Sequence, residues 1–135
     1  MSKYTENLCD KLIQQIAATA RSQYSNYPAE CGHHIVHRGN LLWRWRIMNI
    51  APLTIDEHTM HHAGLLDPLF GWQKDHAFKH NNDLLTRHLT MTGQTRDEFV
   101  NETLAYLRQV KKDIDKGLTT FVDIVKIERG KYGTL

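Results

Sequence analysis

Apolar residues follow helical spacing near the start of this 135-residue chain and again after Gly71, but not between Cys31 and Thr54. From Thr5 to about Tyr24 they recur every three or four positions, which is typical of one face of an α-helix. The stretch from Cys31 to Thr54 instead combines β-branched residues with turn formers, which predicts short strands. The chain is therefore predicted to be α+β and mainly helical, with a small strand segment enclosed by helices.

The central segment is predicted to form two short strands and a helix. The first strand is "HHIVHRG", its partner is "IMNIAPLT", and "NLLWRWR" is the loop between them. Thr54 precedes a helix that starts at Asp56 and ends near His62, before Gly64. The order strand, loop, strand, helix thus occupies residues 33–63.

Further helices are predicted after this segment. One begins at Gly71, and another begins after Thr95, the N-cap of a capping box. The tail "LTTFVDIVKIERGKYGTL" is ambiguous between strand and helix. No linker divides the chain, so residues 1–135 are predicted to be a single domain, with a helical extension at 71–117.

Composition excludes several classes of protein. The formal charge of +2 is too small to indicate a nucleic-acid binder by itself. Two cysteines, Cys9 and Cys31, form neither a disulfide framework nor a tetrathiolate zinc site. No apolar run approaches the length of a membrane span, and the N-terminus lacks the apolar core of a signal peptide. We therefore expect a cytoplasmic protein that has no contact with a membrane.

Histidine has the most uneven distribution, because six of the nine histidines lie between His33 and His62. His58 and His62 are four residues apart, so on a helix both can face one metal ion. His33 and His34 are neighbours in a strand and point to opposite faces. One can therefore face a metal while the other acts as a base, with a ring nitrogen held by the amide oxygen of Asn49.

The segment "HHIVHRGNLLWRWRIMNIAPLTIDEHTMHH" resembles the motif of the HNH endonucleases, also called ββα-metal or His-Me finger nucleases. Within it, "NIAPLTIDEHTMHH" is similar to the end of the colicin-type DNase motif. The "HHIV-R-N…RW…N" portion is similar to phage recombination nucleases of the NinG-like branch. The resemblance implies a ββα-metal motif at about residues 30–64, flanked by an N-terminal helix and by C-terminal helices.

The resemblance also implies residue roles. His33 and His58 would be metal ligands, His34 would be the general base, and Asn49 would orient His34. His62 matches a third metal ligand that only some branches of the family have, and it could instead cap the end of its helix.

The implied activity is metal-dependent hydrolysis of DNA phosphodiester bonds. His34 would take the proton from the attacking water, and one divalent ion would stabilise the phosphate and the leaving 3′-oxygen. The ion could be Mg²⁺, Mn²⁺, Ni²⁺ or Zn²⁺. The resemblance suggests phage-related recombination, homing or DNA processing, in a bacterial host cell or a phage-infected cell. The helices after Gly71 would allow two chains to form a homodimer.

Basic and aromatic residues surround the motif and would contact the DNA backbone. Arginine guanidinium groups suit phosphate oxygens, and tryptophans either stack on bases or enter the core. His61 is expected on the opposite face of the helix, solvated or facing a phosphate. The residues expected to bind substrate are His37, Arg38, Arg44 and Arg46, although His37 could equally be a further ligand or a bystander.

A second interpretation is a non-catalytic, zinc-stabilised nucleic-acid-binding module, in which the histidines only stabilise the loop. The number of ligands distinguishes the two interpretations. A closed site with four protein ligands indicates a structural metal, whereas three ligands and a water indicate catalysis.

Overall fold

The computed structural model describes residues 2–36, 38–64 and 83–133. Along these residues, five α-helices and a two-stranded hairpin confirm the expected mainly helical α+β content. No helix within these ranges is long and apolar enough to span a membrane. The elements are α1 (Ser2–Ala17), β1 (Cys31–His34), a 3₁₀ turn (Ile47–Asn49), β2 (Ile50–Leu53), α2 (Ile55–His62), α3 (Asp83–Thr92), α4 (Arg96–Asp115) and α5 (Phe121–Tyr132).

The hairpin is shorter than the sequence predicted. Its strands are antiparallel, with His33 opposite Ala51 and His34 opposite Ile50. After His34 the chain bends, and on the partner side the residues before Ile50 form a 3₁₀ turn instead of a strand. Asn49 was predicted to lie within the second strand. It instead closes the 3₁₀ turn that leads into β2.

Helix α1 ends at Ala17, earlier than the predicted end near Tyr24. Both the amide and the hydroxyl of Thr19 donate to the carbonyl of Ile16, at 3.1 and 2.6 Å. These short-range bonds tighten the last turn and end the α-helical ladder.

The hydrophobic core forms where α1 packs against α4 and the hairpin, and α5 joins it by packing against the 3₁₀ turn. Full burial of an aliphatic or aromatic side chain stabilises the fold by roughly 1.5–3 kcal/mol, so this shared core fixes α1 against the hairpin. The buried residues of the core are Cys9, Ile13, Ile16 and Ala17 from α1, Val100, Leu104, Leu107 and Val110 from α4, Phe121 and Ile124 from α5, and Trp45, Ile47 and Ile50 from the central segment.

Side-chain caps set the starts of the last two helices. Thr95 and Glu98 form the predicted capping box at the start of α4. Thr120 caps α5 by accepting a hydrogen bond from the amide of Asp123, so the ambiguous tail is a helix. Most of the helix predicted from Gly71 lies outside the described residues. Within them, α3 covers the last part of the predicted range.

The side chain of Gln14 joins α1 to β1 through two hydrogen bonds to the backbone of Gly32. Its side-chain oxygen accepts from the amide of Gly32 at 2.8 Å, and its side-chain nitrogen donates to the carbonyl of Gly32 at 3.1 Å. The backbone of β1 lies very close to α1 and β2 at Gly32. A Cβ at this position would lie 2.3 Å from Cγ2 of Ile50 and 2.9 Å from Cβ of Ala17. The position of His33, the next residue, therefore depends on glycine at 32.

Replacing Gly32 with alanine is expected to destabilise the protein by about 1–3 kcal/mol, because the added methyl overpacks the contact between α1 and β1. Gly130→Ala is the matched control, since nothing lies within 4 Å of a Cβ at that position. In a helix interior this control should be neutral or stabilising by about 0.5–1 kcal/mol. Urea unfolding of both variants measures the difference. Equal stability of the two variants would show that α1 does not approach β1 this closely.

Candidate metal centre

Three histidines from β1 and α2 converge at one point. His33, His58 and His62 each offer a ligand atom, and these atoms all lie within 4.8 Å of one another. Thr54 and Glu57 form a capping box at the start of α2, which fixes the rotation of the helix relative to β2. The i, i+4 spacing then places Nε2 of His58 3.0 Å from Nε2 of His62. This cluster could hold a metal ion.

The distances within the cluster fit metal coordination. Two nitrogens bound to one zinc ion at 2.0–2.1 Å in tetrahedral geometry lie roughly 3.3–3.4 Å apart. The pair from His58 and His62 is close to that separation. On the other side of the ring, Nδ1 of His58 lies 3.6 Å from Sγ of Cys31, so Nε2 is the atom turned toward His62. A partner on the distal nitrogen is typical of ligand histidines because it fixes the ring.

Burial favours the neutral form of His33 and His58, and a ligand imidazole has to be neutral. Burial lowers the pKa of His33 to about 3, with further lowering by the neighbouring histidines. Burial, and then the neighbouring His62, also lower the pKa of His58. An all-nitrogen ligand set suits Zn²⁺ or Ni²⁺ better than Mg²⁺, which prefers oxygen ligands.

The cluster opens onto a cleft of about 340 Å³. The base expected from the sequence, His34, shares this cleft with the cluster. A reacting group held in the cleft would therefore meet both the histidine cluster and a separate imidazole. The lining residues are Gln14, Gly32, His33, His34, Arg38, His58 and His62.

His34 is held by a backbone carbonyl. Its Nε2 lies 3.0 Å from the carbonyl oxygen of Arg44. A carbonyl can only accept, so Nε2 carries the proton and donates, which leaves Nδ1 as the basic nitrogen. Burial lowers the pKa of His34 to about 4, an effect that the Arg44 carbonyl partly opposes. The ring is therefore neutral at neutral pH and able to accept a proton.

The expected orientation of His34 by Asn49 is wrong. The side-chain oxygen of Asn49 accepts from the amide of Val36 at 2.6 Å, and its nitrogen donates to the carbonyls of Val36 and Trp43, each at 3.1 Å. The side chain is fully buried and bonds only to backbone. Asn49 acts on the site indirectly, because it ties together the two ends of the segment that leads from His34 to Arg44.

Arg44 does not face the cleft, contrary to the expectation that it binds substrate. Its guanidinium donates to both carboxylate oxygens of Asp10, at 3.0 and 2.7 Å, and lies 3.9 Å from Glu6. Only 14% of its side chain is exposed. Two carboxylates already neutralise this arginine, so it serves to anchor the loop to α1. Asp10 also accepts from Nε1 of the buried Trp45 at 2.8 Å, so Trp45 belongs to the core.

Arg46 is also directed away from the cleft. Its guanidinium carbon lies 4.4 Å from the ring centroid of Trp43 and 3.8 Å from that of Tyr132. This stacking between two aromatic rings ties the loop to α5. Arg46 therefore lines a different cavity, of about 210 Å³, and is not placed to bind a phosphate beside the histidines.

Arg38 keeps the position expected for a substrate contact. It lines the cleft, its side chain is 59% exposed, and its ion pair with Asp10 is 3.3 Å long. Such an exposed pair contributes little energy and can be exchanged for a phosphate. The remaining residue expected to bind substrate, His37, lies outside the described residues.

His61 does not lie on the opposite face of α2, as was expected. Its Nε2 is 3.1 Å from Nε2 of His33, and the two ring centroids are 4.4 Å apart. The available signal was its spacing, because a residue three positions after His58 shares a face with it. The prediction used only the spacing of His58 and His62 and did not consider the spacing of His58 and His61.

Three further residues that position the site were missed by sequence reasoning. They lie on α1 as a polar row at intervals of four, beside the apolar stripe, and point at the loop and the hairpin. Polar residues spaced by four beside the apolar stripe of a helix lie on one face, so the sequence could have shown that these three side chains line up. It does not show which residues they bind. The row consists of Glu6, Asp10 and Gln14.

No family model, curated protein or solved structure matches this chain. The resemblance to HNH nucleases therefore rests on the motif residues between His33 and His62 alone.

Replacing Asn49 with alanine is expected to destabilise the protein by more than about 2 kcal/mol, because buried backbone groups of Val36 and Trp43 lose their partners. Asn101→Ala is the matched control, since Asn101 is exposed on α4. Thermal and urea unfolding report the two free energies. If Asn49→Ala loses no more stability than the control, Asn49 does not hold the loop as described.

Proposed function

We propose that this protein is a metal-dependent endonuclease that hydrolyses DNA phosphodiester bonds. The observation that carries the proposal is the shared cleft. A three-histidine cluster and a separately held, neutral imidazole open onto the same space. Hydrolysis of a phosphodiester needs this division, because one group must stabilise negative charge while another removes a proton from water.

His34 is the proposed general base. With Nε2 donating to the Arg44 carbonyl, Nδ1 is the atom that would accept the proton of an attacking water. The same carbonyl stabilises the imidazolium that then forms, since its oxygen carries a partial negative charge. Its low pKa means that His34 is unprotonated, and so ready to act, throughout the neutral range.

His33, His58 and His62 are the proposed ligands of one divalent ion. A bound ion would supply positive charge at the phosphate and at the leaving 3′-oxygen. Three protein ligands leave coordination positions for water and substrate, as catalytic sites require. The nitrogen ligands favour Zn²⁺ or Ni²⁺, while Mn²⁺ and Mg²⁺ remain candidates from the resemblance to HNH nucleases.

Arg38 is the proposed phosphate contact. It lies in the cleft with His33 and His34, and its guanidinium can donate two parallel hydrogen bonds to phosphate oxygens. A role in phage recombination, homing or other DNA processing is supported only by the motif resemblance.

Nicking of supercoiled plasmid in the presence of Mg²⁺, Mn²⁺, Ni²⁺ or Zn²⁺ tests this function. His34→Ala is expected to lower the cleavage rate at saturating metal by about 10²–10⁴-fold, the contribution of a general base. Metal affinity should stay unchanged, because His34 is not a proposed ligand. His88→Ala is the control, since His88 lies on α3 with its ring against Phe99 and away from the cleft.

Two outcomes would contradict the proposal. Equal activity of the wild-type protein and His34→Ala would remove His34 from the mechanism. A wild-type protein that binds metal and DNA but nicks with none of the four ions would favour the alternative, a zinc-stabilised nucleic-acid-binding module without catalysis.

A further inference from the structure

The histidine cluster has a fourth member that the three-ligand description leaves out. His58, His61 and His62 all come from α2, and His33 faces them from β1. The ring centroid of His33 lies 5.4 Å from those of both His58 and His62, and only 4.4 Å from that of His61. His61 is thus the nearest imidazole to His33, although its ligand atom lies outside the 4.8 Å set.

The contact between His33 and His61 has the length of a shared-metal contact. Their Nε2 atoms are 3.1 Å apart, and those of His58 and His62 are 3.0 Å apart. Nitrogens of two ligands on one tetrahedral zinc ion lie roughly 3.3–3.4 Å apart. His33 joins the two contacts, because it belongs to the three-histidine cluster with His58 and His62 and also touches His61.

The surroundings of His61 leave its ring available. Its Nδ1 is shielded from solvent and has no hydrogen-bond partner among the described residues. Among residues 2–36, 38–64 and 83–133, the polar contact of the His61 ring is with Nε2 of His33. His61 is also less exposed than His62, which the three-ligand set includes. The ring of His61 is thus bonded only within the histidine cluster among the described residues, and its Nε2 can exchange the contact with His33 for a bond to an ion.

We propose that His61 is a fourth ligand when the bound ion is Zn²⁺, so that the protein holds zinc through four imidazoles. His61 joins His33, His58 and His62 by a rotation of its side chain. The proposal rests on the metal centre of the proposed function, but not on DNA hydrolysis. The sequence "HTMHH" of α2 then supplies three ligands at positions i, i+3 and i+4, all on one helical face.

With His61 as a fourth ligand, the identity of the ion would decide whether a coordination position stays open for water. Zinc with four protein ligands is closed and has no position for water, which is typical of a structural site. Six-coordinate ions such as Ni²⁺ and Mn²⁺ would keep open positions even with His61 bound. Zinc would therefore stabilise the fold without supporting cleavage, whereas six-coordinate ions would support it.

Cobalt substitution tests ligand number directly. The full chain is stripped of metal and titrated with Co²⁺, whose visible spectrum in a four-coordinate site responds to added azide only when one ligand is an exchangeable water. Wild-type protein should show a strong spectrum that azide leaves unchanged, and Zn²⁺ should abolish it by displacing Co²⁺. In His61→Ala a water takes the fourth position, so azide should shift the spectrum, and competition should show at least the roughly 10-fold loss of zinc affinity that even an outer partner causes.

Three variants complete the design. His61→Gln keeps the size of the side chain and should reproduce the effect of His61→Ala. His88→Ala should match wild type, because His88 lies away from the cluster. His62→Ala should make the spectrum respond to azide as well, since it removes another proposed ligand. Circular dichroism without metal confirms that each variant folds before the titration.

The outcomes separate this inference from the proposed function. Unchanged spectrum and zinc affinity in both His61 variants would overturn the inference, and would leave the three-ligand nuclease intact. A four-imidazole spectrum in a protein that nicks DNA with no ion would overturn the nuclease and support the inference. A wild-type protein that binds neither Co²⁺ nor Zn²⁺ would overturn both.

Discussion

The site depends on one buried amide, that of Asn49. Its three bonds to the backbone of Val36 and Trp43 close the loop between the two strands. The loop carries the Arg44 carbonyl that holds His34, so the tautomer of the proposed base follows from this closure. The same residue ends the 3₁₀ turn from which β2 starts, and β2 leads through Thr54 into α2 with its histidines. One side chain thereby positions both halves of the site.

Helix α1 fixes that closed loop to the rest of the protein. Asp10 binds the guanidinium of Arg44 and the indole of Trp45, and Gln14 binds the backbone of Gly32 next to His33. From the opposite side, the buried carboxylate of Glu128 on α5 accepts from the amide of Met48, beside Asn49. Helices α1 and α5 therefore hold the hairpin segment in place through these hydrogen bonds.

The sequence predicted the order of elements in the central segment and the convergence of His58 and His62, because both follow from local periodicity. His58 and His62 needed only the helical repeat, and Thr54 and Thr95 identified helix starts through their caps. Residue roles that depend on the partner were predicted poorly. Arg44 carries the same charge whether it meets a phosphate or Asp10, and Asn49 can bond to a ring or to backbone. Those choices depend on the tertiary position of α1 and of the loop, which no local pattern encodes.

Both proposals require His33, His58 and His62 together to hold a divalent ion. Thermal unfolding of metal-free protein titrated with Zn²⁺ measures this binding, because an ion that binds only the folded state stabilises it by about 2.7 kcal/mol at 100 times Kd. We expect a melting temperature that rises with zinc in wild-type protein and stays constant when His33, His58 and His62 are all alanine. An equal rise in both proteins, or no rise in wild type, would contradict it.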